Sequence, residues 1–324
     1  MLTHRACLAP RRWRSSAAMS SHTPVIVVHG GAGTVAPKNH AAAIAGTRAA
    51  AAAGQAVLLR GGSCEDAAVA AVRVLEDDPT FNAGRGACMN RDGDFEHDAA
   101  IMRSRDLRSG AVASVSAVRD AVLLARLVME QTPHCLVVGA GAATLARAHG
   151  VGHFGRDEVW TAKAEAAHRE VLAGRASADN RADTVGAVAL DRHGHLCAAA
   201  STGGVLHKLP GRVGDTPLCG AGFYAHPQLG ACGTTGVGEA ILTHVLAFEA
   251  LRRASERPGE AAIIAASLCA AASRHHNGAA VGLILVRPDG EVAIVHCSEH
   301  MSWALAIGDA APDSGLRRDL SPGT

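Results

Sequence analysis

Two rhythms of apolar and polar positions run through the chain. Residues 24–34, PVIVVHGGAGT, are a continuous apolar run that ends in glycines, which predicts a short buried strand entering a Gly-rich turn. The Ala-rich stretch 40–62 predicts a helix stopped by Gly61-Gly62. The segment 63–79 opens with Ser63 and Asp66 in capping-box spacing and closes before Pro79, so a second helix follows. HDAAIM (97–102) and GAVASVSAV (110–118) predict strands. RDAVLLARLVMEQ (119–131) predicts a helix, and 158–174 contains another. RASADNRAD (175–183) is a polar linker.

From Thr184 the texture changes. Residues 184–202 predict two strands joined by a turn at His193-Gly194-His195. Residues 236–255 and 260–276 predict one helix each, and 279–298 a hairpin around Asp289-Gly290. Helices therefore cluster between two groups of hairpin strands. That order predicts helix layers covering antiparallel sheets, an α+β class with no internal repeat.

Composition narrows the picture. The chain has 324 residues, 48% of them hydrophobic but only 3% aromatic, so its core must be built from Ala, Val, Leu and Ile. A formal net charge of +1 and no basic face exclude nucleic acid as the expected partner. No apolar run long enough to span a bilayer is expected. Nine cysteines without a CxxC pair read as reduced thiols, which points to a cytoplasmic protein. The first 20 residues are basic, contain serine and lack acids. Two readings stay open for them: an organellar, mitochondrial presequence, or a disordered extension ahead of a working start at Met19.

Several chemical readings can be set aside. CLVVGAGAATLARAHG (135–150) offers strand, Gly139-x-Gly141 and helix, but Thr144 replaces the third glycine of a dinucleotide fingerprint. An ordinary strand-to-helix turn is the better reading. The pairs His193/His195 and His275/His276 lack helical i, i+4 spacing and a nearby Cys, and read as solvated turn residues. No Walker loop or GxSxG elbow occurs. Nothing in packing demands a threonine at position 184, where the polar linker meets the strand.

The remaining glycine-rich segments are specific in combination. They are HGGAG (29–33), FNAGRGACMN (81–90), DTVGAVALD (183–191), STGG (201–204) with KLPGRVGDTPLCGAGFYA (208–225), and GACGTTGVGEAIL (230–242). Together they resemble the plant-type L-asparaginase and isoaspartyl peptidase family of N-terminal-nucleophile hydrolases. The resemblance runs from about Pro24 to the C-terminal hairpin. It implies a four-layer αββα sandwich and self-cleavage between Asp183 and Thr184. Residues 21–183 would become an α-chain and 184–324 a β-chain of one folded domain, with such units pairing as homodimers.

A free N-terminal threonine carries a hydroxyl nucleophile and an α-amine whose unperturbed pKa is roughly 7.7–8, so one residue supplies nucleophile and base. The resemblance further implies Thr202 as the hydroxyl that bonds the nucleophile, and the Thr235 hydroxyl with the Gly236 N–H as the oxyanion hole. It places Arg212 on a substrate α-carboxylate, Asp215 on the α-ammonium, and Asn82 in the active site. The bland alternative for Arg212 and Asp215 is a local ion pair in a turn. No cofactor is implied for catalysis. A structural sodium is implied, held by backbone carbonyls of Leu75, Glu76, Asp78, Phe81, Ala83 and Arg85. Two positions depart from the usual pattern: Arg85 stands where a smaller or apolar residue is common, and Asp183 where asparaginases more often have glycine. The implied activity is hydrolysis of L-asparagine and of β-aspartyl dipeptides. Alternatives are a glycosylasparaginase, a taspase-like hydrolase, or an uncleaved, non-catalytic binding protein.

Overall fold

The structure, a computed structural model, describes residues 22–116, 118–152, 155–175 and 184–317. The leader and Asp183 lie outside the described residues. In chain order the elements are β1 (Val25–Gly33), α1 (His40–Leu59), α2 (Cys64–Asp77), β2 (His97–Arg103), β3 (Ser109–Val115), α3 (Ala121–Gln131), β4 (Leu136–Val138), α4 (Gly139–Ala148), α5 (Arg156–Val159) and α6 (Ala162–Leu172). After the linker come β5 (Val185–Leu190), β6 (Leu196–Thr202), β7 (Phe223–His226), β8 (Gly230–Gly236), α7 (Gly238–His244), α8 (Leu246–Glu256), α9 (Ala261–His275), β9 (Val281–Val286), β10 (Val292–His296), β11 (His300–Ile307) and β12 (Asp313–Gly315).

An eight-stranded sheet has the order β12-β11-β1-β5-β6-β2-β3-β4, and a four-stranded sheet the order β10-β9-β8-β7. Neighbours are antiparallel apart from β3 and β4, which are parallel. The sheets touch face to face through β1, β5 and β6 on one side and β8 and β9 on the other. Helices α1, α2 and α3 cover the large sheet, and α8 and α9 the small one. This is the αββα stack of an α+β protein.

Central strands are apolar on both faces because each face has a layer to meet. Ile26, Val28, Val185, Ala187 and Ala189 join the core under the helices, while Val25, Val27, Val188 and Leu190 join the core between the sheets. Phe223 is the bulky buried member of that inter-sheet core. Ser63 caps α2 as its spacing predicts, accepting from Asp66 N at 3.1 Å.

Three expectations need correction. Strand β1 does not stop at the glycines but continues to Gly33, with a register shift between His29 and Ala32. The glycine run is thus a bulged strand end. The stretch Pro37–Leu59 is long and apolar enough to cross a membrane, with mean hydropathy 1.3. Alanine raises that value, yet Ala43, Thr47, Ala50, Ala51, Gly54 and Leu58 form a buried helix face. The helix predicted over 236–255 is two helices, α7 and α8, divided at Val245.

Val245 has φ 47° and ψ 47°, a left-handed conformation that a β-branched side chain rarely adopts, and is 47% exposed. Asparagine tolerates this region and also favours the N-cap position that Val245 holds for α8. Val245→Asn should therefore stabilise the fold by about 1 kcal/mol. A urea denaturation midpoint that rises checks this; an unchanged or lower midpoint contradicts it.

Candidate active site

Thr184 stands immediately before β5, in the middle of the large sheet, and is 4% exposed. Its position is fixed by a hydroxyl from the other sheet. Thr235 Oγ1 accepts from Thr184 N at 3.3 Å and from Ala32 N at 3.2 Å, and donates to the Thr184 carbonyl at 3.2 Å. Thr235 reaches this point because β8 pairs with β9 in a register that sets Thr235 opposite Gly282 and Gly236 opposite Val281. Gly236 has φ 127°, and a Cβ there would lie 2.1 Å from the Ala280 carbonyl oxygen, so no other residue fits.

A small pocket opens in front of Thr184. Thr184, Thr202, Arg212, Asp215, Thr216 and Gly236 all line it. The Thr184 and Thr216 hydroxyls are 3.3 Å apart. Thr202 Oγ1 accepts from Gly204 N at 2.9 Å, which shapes the same wall. Asn82 stands one layer back: its amide donates to the Gly204 carbonyl at 2.7 Å and accepts from Cys88 N at 2.9 Å. Thus the predicted residues converge, and Thr216 is added to them.

Arg212 and Asp215 do not form the bland turn pair. Arg212 Nε and Nη2 donate to Glu239 Oε1 at 3.0 and 2.9 Å, and Nη2 to Oε2 at 2.8 Å. A guanidinium has five N–H donors, so this pairing leaves its Nη1 edge to a further anion. Asp215 instead accepts from Thr234 Oγ1 at 3.0 Å. Burial pushes the Asp215 carboxyl up to about 6, with the Thr234 hydrogen bond opposing the shift. Glu239 and Thr234 lie inside the quoted motifs, in TTGVGE, so a sequence signal for both existed. Their roles depend on spatial neighbours that sequence does not display.

The loop that carries Arg212 is clamped from below. Glu96 accepts from Gly211 N at 2.9 Å and pairs with Lys208 at 3.7 Å, and Lys208 Nζ donates to the Arg212 carbonyl at 3.3 Å. On the neighbouring strand, His29 pairs in register with Gly186 and is fully buried. Burial lowers its pKa to about 3, against a smaller opposing effect of the Thr184 backbone, so its ring is neutral at physiological pH.

Two further features border the site. The first is the loop after α2. A Cβ on Gly84 would lie 2.2 Å from the Glu76 carbonyl oxygen, and one on Gly86 1.8 Å from that of Phe81. The carbonyls of Asp78 and Ala83 accept from Phe81 N and Gly86 N at 3.2 and 3.0 Å. Arg85 is exposed, so its side chain stays out of this tightly turned loop. The second feature is a cavity of about 870 Å³ whose walls include Ala32, Asn82 and Val237.

Comparison with known proteins gives this geometry a lineage. The family model described as asparaginase matches residues 22–316. The chain is similar to the isoaspartyl peptidase/L-asparaginase of Bos taurus, 41% identical over 298 residues that cover 90% of this chain and 96% of that relative. It is 40% identical to the Homo sapiens isoaspartyl peptidase/L-asparaginase over 92% of this chain and 96% of the relative. The isoaspartyl peptidase of Salmonella typhimurium is 39% identical over 91% and 99%. With nearly the whole fold matched and the threonines gathered at the head of β5, the chain belongs to the asparaginase family of N-terminal-nucleophile hydrolases.

Proposed function

We propose that this protein cuts itself before Thr184 and then hydrolyses L-asparagine and β-aspartyl dipeptides. The observation that carries the reading is the placement of Thr184: directly ahead of a buried central strand, main chain held by Thr235, hydroxyl beside a pocket lined by one cation and one carboxylate. The names of the relatives point to the same substrates. In the uncut chain the Thr184 hydroxyl attacks the preceding carbonyl, the peptide C–N bond breaks as the ester forms and frees the α-amine, and water then hydrolyses the ester, releasing the preceding chain as a carboxylate and restoring the hydroxyl.

The freed α-amine then takes the hydroxyl proton as Thr184 Oγ1 attacks the substrate side-chain carbonyl. The Gly236 N–H and the Thr235 hydroxyl stabilise the oxyanion; losing one such donor costs roughly 2.7–4 kcal/mol in the barrier. The amine next passes its proton to the leaving nitrogen, and water hydrolyses the acyl-enzyme. Arg212 grips the substrate α-carboxylate along the edge that Glu239 leaves open, and Asp215 receives the α-ammonium. The Thr216 hydroxyl, 3.3 Å from that of Thr184, orients the nucleophile together with Thr202. We also propose a sodium ion in the loop after α2. The carbonyls of Leu75, Glu76, Asp78, Phe81, Ala83 and Arg85 would hold it, and it would neutralise the C-terminal carbonyls of that helix.

Wild-type protein should run as two fragments on a denaturing gel and release aspartate from both L-asparagine and β-Asp-Leu. Thr184→Ala should remain one chain and release none. Efficient cleavage in that variant, or no aspartate from cleaved wild type, contradicts the reading.

Arg212→Lys keeps the charge and loses the fork, so KM for asparagine should rise about tenfold or more while self-cleavage persists. Steady-state kinetics decide; an unchanged KM removes Arg212 from the carboxylate.

Asp215 binds an ammonium only when ionised. Affinity for L-aspartate should therefore weaken as pH falls through about 6. Thr234→Val removes the hydroxyl that favours the ionised form, so the midpoint should move to higher pH. Calorimetric titrations across pH test this, and a midpoint unmoved by the substitution would count against it.

A further inference from the structure

The 870 Å³ cavity beside the nucleophile is large for an enzyme that need only expel ammonia from asparagine. Its volume falls in the range of about 300–1,000 Å³ found for small-molecule sites. Its place relative to Thr184 follows from strand direction. Strand β1 is antiparallel to β5, with His29 opposite Gly186. The next residues of β1, Gly30 to Gly33, therefore run on past the head of β5, and Gly30, Ala32 and Gly33 line the cavity. Val237, directly after Gly236, also lines it. The cavity thus lies on the amino side of Thr184, while the pocket with Arg212 and Asp215 lies on its hydroxyl side.

Expulsion of an amine requires a proton on its nitrogen as the C–N bond breaks. In the function proposed above, on which this inference rests, the α-amine of Thr184 carries that proton. The leaving group therefore departs on the amino side of Thr184, into the large cavity. We infer that this cavity is a leaving-group subsite for the amino acid released from a β-aspartyl dipeptide, with the free carboxylate of that amino acid facing Lys38. Val35, Ala43, Ala167 and Leu206 give it apolar walls suited to an aliphatic side chain. Its charged lining is Lys38, Lys163 and Glu299. Lys163 Nζ already donates to the Thr80 carbonyl at 2.8 Å, and Glu299 faces Arg317 at 4.0 Å. Lys38 is exposed and has no hydrogen bond or ion pair among the described residues, so its ammonium is free for the incoming carboxylate.

The chemistry balances without any added reactant. The amide C–N bond breaks, Thr184 Oγ1 takes the acyl group, and the amine proton passes to the departing nitrogen. Water later returns the acyl group as aspartate and restores the hydroxyl.

Kinetics on three substrates test the assignment: L-asparagine, β-Asp-Leu, and β-Asp-leucinamide, which lacks the second carboxylate. Wild type should favour β-Asp-Leu over the amide by about threefold in kcat/KM, the scale of an exposed ion pair. Lys38→Met should bring that ratio to one and leave asparagine turnover unchanged. Ala167→Phe, which narrows the cavity, should raise KM for β-Asp-Leu about tenfold with asparagine again unaffected. No wild-type preference for the carboxylate, or an Ala167→Phe effect equal on asparagine and dipeptide, overturns the subsite while asparagine hydrolysis stands. Wild type inactive on asparagine and on both dipeptides overturns the functional reading, and the subsite with it.

Discussion

One hydroxyl ties the two sheets together at the place where chemistry is expected. Thr235 Oγ1 belongs to the small sheet, yet its contacts are main-chain groups of Thr184 and Ala32 in the large one. A buried hydroxyl has to be paired, and here the pairing doubles as a gauge of the distance between sheets. Gly236 makes the gauge workable by letting β8 pass against Ala280. Thr184 is thereby located by strand register rather than by a loop, which is the more rigid arrangement.

The pocket in front of it follows a different rule, that of opposed charges kept in partial balance. Arg212 is not left bare but shares its guanidinium with Glu239. Asp215 is buried far enough for its ionisation to cost energy, and Thr234 offsets part of that cost. Glu96 and Lys208 hold the intervening loop from beneath. The amino-acid ligand proposed above brings both signs at a fixed separation, and two restrained opposite charges would favour it over a simple ion of either sign.

Much of this was legible in the sequence. Regular periodicity announced α1, α2, α3 and α9, and the turn at Asp289-Gly290 marked the hairpin of β9 and β10. Strands β7 and β8 leave no periodic signal in the sequence, because glycines and threonines dilute the alternation that marks a strand. The break at Val245 was hidden, since a valine gives no hint of a left-handed backbone. Among site residues, Thr184, Thr202, Arg212, Asp215 and Gly236 were found by motif and do meet at one pocket. Thr216 follows Asp215 directly, and only the fold shows its hydroxyl beside that of Thr184. Glu239 and Thr234 were missed because partner choice is a tertiary matter: Arg212 had a carboxylate three residues away and took one on a different element.

The order of strands in the large sheet has a consequence for the life of the molecule. Strands from before and after position 184 are interleaved, with β1 between β11 and β5, and β6 against β2. A cut ahead of Thr184 therefore severs the chain without separating its halves, because every route to separation breaks a central ladder. It does change the molecularity of folding. Before the cut, refolding is unimolecular; afterwards two chains must find each other at cellular concentration. Maturation would thus convert an equilibrium fold into one held by its unfolding barrier, whose persistence is a matter of rate.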